Sequence, residues 1–406
     1  MAKIIIGTAL ADSISGTPGR DIIRGLAGDD YIWSDLGADL IDGGRGNDWT
    51  SLDFSTASAG IQFSLASGRA VADTSAGIKT LRSIEAAGIV GSIYGDDFTG
   101  GTYDDTIEGK DGNDVLRGIG GNDIMLGDDG DDTLLGGSGN DFLDFSLKQF
   151  GEDTLNGGTG IDRVLLDFDN ATGPVSFTFT GNQVVATPNG TKTLISIELA
   201  NILGSSFNDW ITGGSRNDIL AGGDGDDVLN GRDGNDFLYD IAGDNRMLGG
   251  NGADVFHAGD QNDELLGGNG NDILHARGGA DRLVDGAGHD RLEAGYGDDK
   301  LFGGAGDDRL IGDVGVDWLT GGSGNDVFVF NFGHSGVGAG LRDRIVDFVS
   351  GTDQFDISSA AIDLSDISFA VIGRNRTIVG LDDNSDGIVD MEVLVIGTIS
   401  ISDFLV

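Results

Sequence analysis

Gly249-Gly250-Asn251-Gly252-Ala253-Asp254-Val255-Phe256-His257 is one unit of a nine-residue repeat that occupies positions 209 to 326. An acid returns there at every ninth residue: Asp209, Asp218, Asp227, Asp236, then Asn245 as the one exception. The series resumes with Asp254, Asp263, Asp272, Asp281, Asp290, Asp299, Asp308, Asp317 and Asp326. Two residues after each acid stands an apolar side chain, as at Leu220, Met247, Phe256, Leu283 and Phe328. So long a register defines a repeat architecture, which has to be read before any other feature. Strand side chains alternate sides, so the plus-two set stacks inward. The plus-one set, with Trp210, Arg246, Glu264, Arg282 and Lys300, faces out. The glycine-rich arm before each acid suits a tight turn with positive φ. Two units then make one coil, and successive coils pair as parallel strands ~4.8 Å apart.

Outward from this stretch the same register recurs twice. Asp12, Asp21, Asp30, Asp39 and Asp48 form a first run, and Asp96, Asp105, Asp114, Asp123, Asp132 and Asp141 a second. After a three-residue slip the second run closes with Asp153 and Asp162. The two breaks between runs resemble each other. Lys79-Thr80-Leu81 through Ile84-Glu85 in one matches Lys192-Thr193-Leu194 through Ile197-Glu198 in the other. Ile61, Phe63 and Leu65, like Val175, Phe177 and Phe179, alternate with period two and predict strands. The expected organisation is a first run over 1–48, a β excursion over 49–95, a second run over 96–162 and a second excursion over 163–208. The longest run over 209–326 and a β-rich C-terminal cap over 327–406 complete it.

The 406 residues include 73 glycines, 3 prolines, no cysteine and 68 acids against 24 bases, a net charge of −44. Such a charge opposes compaction unless cations neutralise it. It also argues against nucleic acid or an anionic membrane surface as partner. An apolar content of 38% is too high for an acidic disordered tail. No stretch has the length and hydropathy of a transmembrane span, and the N-terminus reads as lacking a signal peptide. A thin coil core does not offset chain entropy by itself, and its edges stack carboxylates. Divalent cations resolve both problems, and oxygen-only ligands favour calcium. Every aspartate of the three runs is therefore a candidate metal ligand.

Residues 43–48, 136–141, 267–272, 303–308 and 321–326 match GGxGxDxUx, and on them the chain resembles the RTX proteins. The resemblance implies an all-β, right-handed parallel β-roll of 18-residue coils. Calcium would be held between turns one coil apart, by the aspartates and by glycine-arm carbonyls. The run lengths imply roughly 15–20 ions, enough to offset most of the net charge. Binding and folding are then one event. Asn245, Asp240-Ile241 and Gln261 depart from the pattern. The edge holding Asp254, Asp272, Asp290, Asp308 and Asp326 is expected to bind more strongly than the opposite one.

The segment Asp343-Arg344-Ile345-Val346-Asp347-Phe348 and the ending Ser402-Asp403-Phe404-Leu405-Val406 resemble the C-terminal part of serralysin-like secreted proteins. That likeness implies passage of the unfolded chain through type I export machinery to the exterior or surface of a Gram-negative cell. Asp382, Asn384 and Asp386 have the first spacings of an EF-hand loop, but Val393 stands where its glutamate is required, so an acidic turn is expected.

No catalytic constellation is found. His257, His275, His289 and His334 form no HExxH, and no GxSxG elbow is present. His257, His275 and Glu293 are one coil apart and are expected to form an outward side-chain ladder. Apolar plus-one residues, Ile22, Tyr31, Leu40 and Trp49 and later Trp210, Ile219, Val228 and Phe237, call for a cover, with the excursions as the first choice, or a partner. The sequence thus reads as a non-enzymatic, secreted, calcium-binding structural protein. The expected product is a homo-oligomer or polymer such as an S-layer, filament or adhesive matrix. A soluble hydrolase or polysaccharide-modifying protein acting on the roll surface is the alternative.

Overall fold

A computed structural model describes residues 2–34, 38–65, 69–74, 77–144, 151–187, 190–331, 342–358, 363–382 and 388–405. Among them every regular element is a β-strand, apart from 3-10 turns at Leu364–Asp366 and Ile401–Asp403. The strands are short because each coil gives only a few residues to a face before glycine turns the chain. The arm before Asp254 is typical: Gly250 and Gly252 have φ of 114° and 134°, a region that side chains with a Cβ avoid.

The chain forms two compact units, residues 1–172 with 179–201 and residues 173–178 with 202–406. In the first unit, Lys3–Ile6, Asp21–Ala27 and Leu40–Arg45 pair in parallel, with Ile5 opposite Ile23 and Ile23 opposite Ile41. Ser13–Ser15, Tyr31–Trp33 and Trp49–Asp53 pair in parallel as the alternate strands of the same coils. Ile23, Ile32, Ile41, Leu116, Met125, Leu134 and Leu155 are all buried at plus two. Full burial of one such side chain contributes about 1.5–3 kcal/mol. The stack is the core.

The excursions do not interrupt the pairing. In each, a hairpin folds out and its second strand takes a place in the parallel ladder. Arg69–Thr74 pairs antiparallel with Gly77–Arg82, which lies parallel to Leu40–Arg45. Gln183–Thr187 and Gly190–Ile195 repeat this beside Asp153–Thr159. Ala86–Val90 then bridges Trp49–Asp53 and Thr106–Glu108 in parallel.

In the second unit, one face carries Trp210–Thr212, Val228–Asp233, Arg246–Asn251, Glu264–Asn269, Arg282–Ala287, Lys300–Ala305 and Trp318–Ser323. The nine-residue spacing stops after Asp326, but parallel pairing continues. Asp343–Ile345 joins Trp318–Ser323, Met391–Ile396 joins Asp343–Ile345, and Gln354–Asp356 joins Val327–Val329. Phe404–Leu405 lies beside Gln354–Asp356. Arg376–Leu381 and Ile367–Gly373 finish that face antiparallel. Residues 383–387, which include Asn384 and Asp386, lie outside the described residues, as does His334.

Candidate metal centre

The repeat aspartates are buried because the turn folds over them. Each uses its two carboxylate oxygens differently. Oδ1 accepts the backbone N–H of the acid one coil earlier: Asp236 N–H to Asp254 Oδ1 at 2.7 Å, Asp254 to Asp272 at 2.7 Å, Asp272 to Asp290 at 2.9 Å. These bonds form continuous columns. The slip in the second run is absorbed without a break, since Asp132 N–H reaches Asp153 and Asp141 N–H reaches Asp162, each at 2.8 Å. Asn245 keeps the column, accepting from Asp227 at 2.9 Å.

Oδ2 is the informative atom. In Asp30, Asp48, Asp114, Asp123, Asp132, Asp141, Asp162, Asp236, Asp254, Asp281, Asp299, Asp308 and Asp317 it is buried and has no hydrogen-bond donor. In Asp30, Asp114, Asp123, Asp141, Asp236, Asp254 and Asp308 it faces the first glycine of its own arm, together with the carbonyl oxygen of the matching glycine in the next coil. Before Asp281 and Asp299 that arm position is Ala276 and Ala294. A Cβ built on Gly303 would lie 2.5 Å from Asp308 Oδ2 and 2.7 Å from the Gly321 oxygen. The two oxygens thus converge on a cradle that a Cβ at Gly303 would fill. Buried polar atoms without partners are costly, and a row of carboxylate oxygens in that state suits cations. Without one, burial and neighbouring acids push Asp114, Asp123, Asp281 and Asp317 up to about 8. Carboxylate and carbonyl oxygens with no nitrogen or sulfur are the donor set of calcium, so the residues fit that ion.

At the head of each run the cradle is closed by the protein itself. The backbone N–H four residues earlier donates to Oδ2: Thr17 to Asp21 at 2.6 Å, Ser92 to Asp96 at 2.7 Å, Gly101 to Asp105 at 2.5 Å. Ser205 to Asp209 at 2.5 Å and Gly214 to Asp218 at 2.6 Å follow suit, and Thr8 does the same for Asp12. Farther along, Asp263 receives only a long bond of 3.4 Å from Gly259. Asp39 and Asp153 instead meet lysines, Lys79 and Lys192.

Two cradles carry an additional acid in place of the next coil's glycine. Asp240 Oδ2 and Asp227 Oδ2 both face Gly222. Asn245 carries no charge, and Asp240, five residues earlier, supplies a carboxylate on the same edge. Burial and then the Asp227 charge push Asp240 up to about 9. Asp285 enters the cradle between Asp272 and Asp290, and one oxygen from each of the three lies within 4.8 Å of the others. Burial, then Asp290 and Asp272, push Asp285 up to about 10.

Sequence reasoning missed four features. Asp343 and Asp353 extend the columns, accepting from Asp317 at 3.0 Å and Asp326 at 3.2 Å. Glu85 and Glu198 do so at the excursions. Asp240 reads in the sequence only as a departure from the paired glycines, and Asp285 is not singled out there at all. An exposed second ladder runs at the residue before each acid, as from Asn140 N–H to Asn122 Oδ1 at 2.8 Å, and His289 belongs to it. The expected outward ladder is present: the His257 and His275 rings stack at 5.1 Å, and His275 Nδ1 lies 3.3 Å from Glu293 Oε2. The plus-one aromatics are less covered than expected, Tyr31 being 51% and Trp210 56% exposed.

The geometry defines a class first: a parallel β-solenoid whose edges are columns of buried carboxylates shaped for cations. Residues 6–49, 90–146, 150–167 and 203–335 match the model of the RTX calcium-binding nonapeptide repeat. The chain belongs to that family, whose repeats bind calcium. Among solved structures it is similar to the AlgE6R3 subunit of the Azotobacter vinelandii mannuronan C5-epimerase. The identity is 26%, over 36% of this chain and 78% of that one, with a TM-score of 0.26. It is also similar to the extracellular lipase LipA from Serratia marcescens, at 14% identity over 80% of this chain and 41% of that one, with a TM-score of 0.12. No curated protein matches.

Proposed function

We propose that this chain is a secreted structural protein that folds when it meets calcium outside the cell and then builds an extracellular assembly. The observation that carries the reading is the row of buried Oδ2 atoms without donors. Unpaired charges buried this densely oppose folding in the absence of metal. Extracellular calcium modules work at roughly 10⁻⁴–10⁻³ M, so the chain would stay open for export and close outside. Export through type I machinery is part of the proposal and rests on the likeness of the C-terminal segment. The repeat aspartates whose Oδ2 lacks a donor would hold the ions, with Asp240, Asp285 and Asp343 added to them.

Assembly is supported by surface chemistry. Lys3–Ile6 ends its sheet among the described residues, with Ile4 and Ile6 exposed, and such an edge accepts another strand. Circular dichroism and light scattering against calcium concentration test both halves of the reading. Strand formation followed by growing particles is expected. A chain that folds on calcium but stays monomeric would leave the calcium half standing and overturn the assembly half. One observation favours the second reading, action on a polysaccharide: Tyr31 lies 5.9 Å from Trp33 and 5.0 Å from Trp49, ring to ring, on an outer face. Cleavage or modification of a glycan by the monomer would select it.

A further inference from the structure

The two excursions share six of seven residues, Lys79-Thr80-Leu81-Arg82-Ser83-Ile84-Glu85 and Lys192-Thr193-Leu194-Ile195-Ser196-Ile197-Glu198. Their lysines are buried, at 1% and 0% exposure. Lys79 Nζ donates to Ser34 Oγ at 2.5 Å and lies 3.2 Å from Asp39 Oδ2. Lys192 Nζ donates to Asp153 Oδ2 and, at 3.0 Å, to the Gly151 carbonyl. A buried ammonium carries a desolvation penalty of several kcal/mol, so two duplicated instances call for a reason. The reason lies in what they touch. The shared partner is Oδ2, the atom that in Asp30, Asp48, Asp114, Asp132 and others of the columns has no donor. Lys79 also meets a hydroxyl and Lys192 a carbonyl oxygen, so each ammonium has oxygen partners beside the carboxylate, as a calcium ion would.

The other end of the same seven residues does the opposite. Glu85 Oε2 accepts the Asp48 N–H, and Glu198 Oε2 the Asp162 N–H, both at 2.9 Å. The next coil's aspartate does this elsewhere. The Ser83 and Ser196 carbonyl oxygens face Gly43 and Gly157, beside Asp48 Oδ2 and Asp162 Oδ2. They replace the next coil's glycine carbonyl, and those two Oδ2 atoms have no donor.

We propose that Lys79 and Lys192 are tethered cations standing in for calcium at Asp39 and Asp153. Each excursion closes one edge of its column with an ammonium and continues the other as a metal site through Glu85 or Glu198. The inference rests on the calcium reading of the columns. It explains why a hairpin can be spliced into the roll: a protein cation replaces the ion that the missing glycine arm no longer holds.

Bound calcium per chain, counted by equilibrium dialysis and atomic emission on the full protein, tests this. D39N/K79M is expected to bind as many ions as wild type, and D48N one fewer. Loss of an ion in D39N/K79M would overturn the tethered-cation role, and an unchanged count in D48N would overturn the metal site at Glu85. D153N/K192M repeats the reading at the second excursion if the first double variant does not fold. A readout without variants is amine labelling of the calcium-loaded wild type. Lys3, Lys110 and Lys300 should react while Lys79 and Lys192 resist, and rapid labelling of the latter pair would overturn the proposal. A wild-type chain that takes up no calcium would overturn the calcium reading itself, and this one with it.

Discussion

A single glycine in an arm and a single extra carboxylate in a cradle act on the same small space. Gly303→Ala would place its Cβ against Asp308 Oδ2 and the Gly321 carbonyl. Overpacking of this kind costs about 1–3 kcal/mol, and here it also obstructs the ion. The calcium midpoint of folding, followed by circular dichroism, should rise. Gly19→Ala, whose Cβ meets nothing within 4 Å, should leave the midpoint unchanged. Asp285→Asn separates the two states of the site. Its carboxyl is held at about 10 by burial and by Asp290 and Asp272, so in chelator the substitution removes a penalty and thermal stability should rise. In calcium it removes a ligand oxygen's charge, and stability should fall. Thermal melts in the two conditions should therefore shift in opposite directions.

At the scale of the coil, the plus-two positions and the acid columns were legible because a strict period exposes both. The residues that escaped it are those that keep the geometry while breaking the spacing. Asp343 and Asp353 accept from acids 26 and 27 residues earlier. Asp240 and Asp285 become meaningful only once a cradle is known to draw its second oxygen from the next coil's arm. Lys79 and Lys192 stood out as duplicated residues, but their burial depends on the hairpin bringing a second strand into the ladder. The coil also limits how far damage spreads, because each contacts chiefly its neighbours. Leu283→Ala in the stacked core should cost about 2–5 kcal/mol. Hydrogen exchange should accelerate most in Glu264–Asn269 and Lys300–Ala305, which flank its strand. Uniform acceleration across residues 202–406 would contradict this local coupling.

For the whole molecule, acid and metal are alternatives. The carboxyls of Asp114, Asp123, Asp281 and Asp317 sit at about 8 in the fold, against an ordinary value of 3.8. A raised value means that the folded chain holds protons more tightly than the unfolded one. The stabilisation is complete below the ordinary value and is lost as pH rises through about 8. In chelator, the chain should therefore gain strand signal between pH 8 and pH 4, as read by circular dichroism. In calcium the trend should reverse, because protons compete with the ion for the same oxygens.

Donors of this kind at Thr8, Thr17, Ser92, Gly101, Ser205 and Gly214 stand at the head of each run. Within the third run Gly259 gives Asp263 only a long bond of 3.4 Å, and beyond that run Val349 closes Asp353 at 2.7 Å. A run therefore has a polarity, with a self-sufficient head and a body that depends on ions. Lengthening the body by tandem duplication adds new cradles but asks for no new head. Growth of such a chain in evolution is limited less by finding new packing solutions than by the calcium of the surroundings in which it folds.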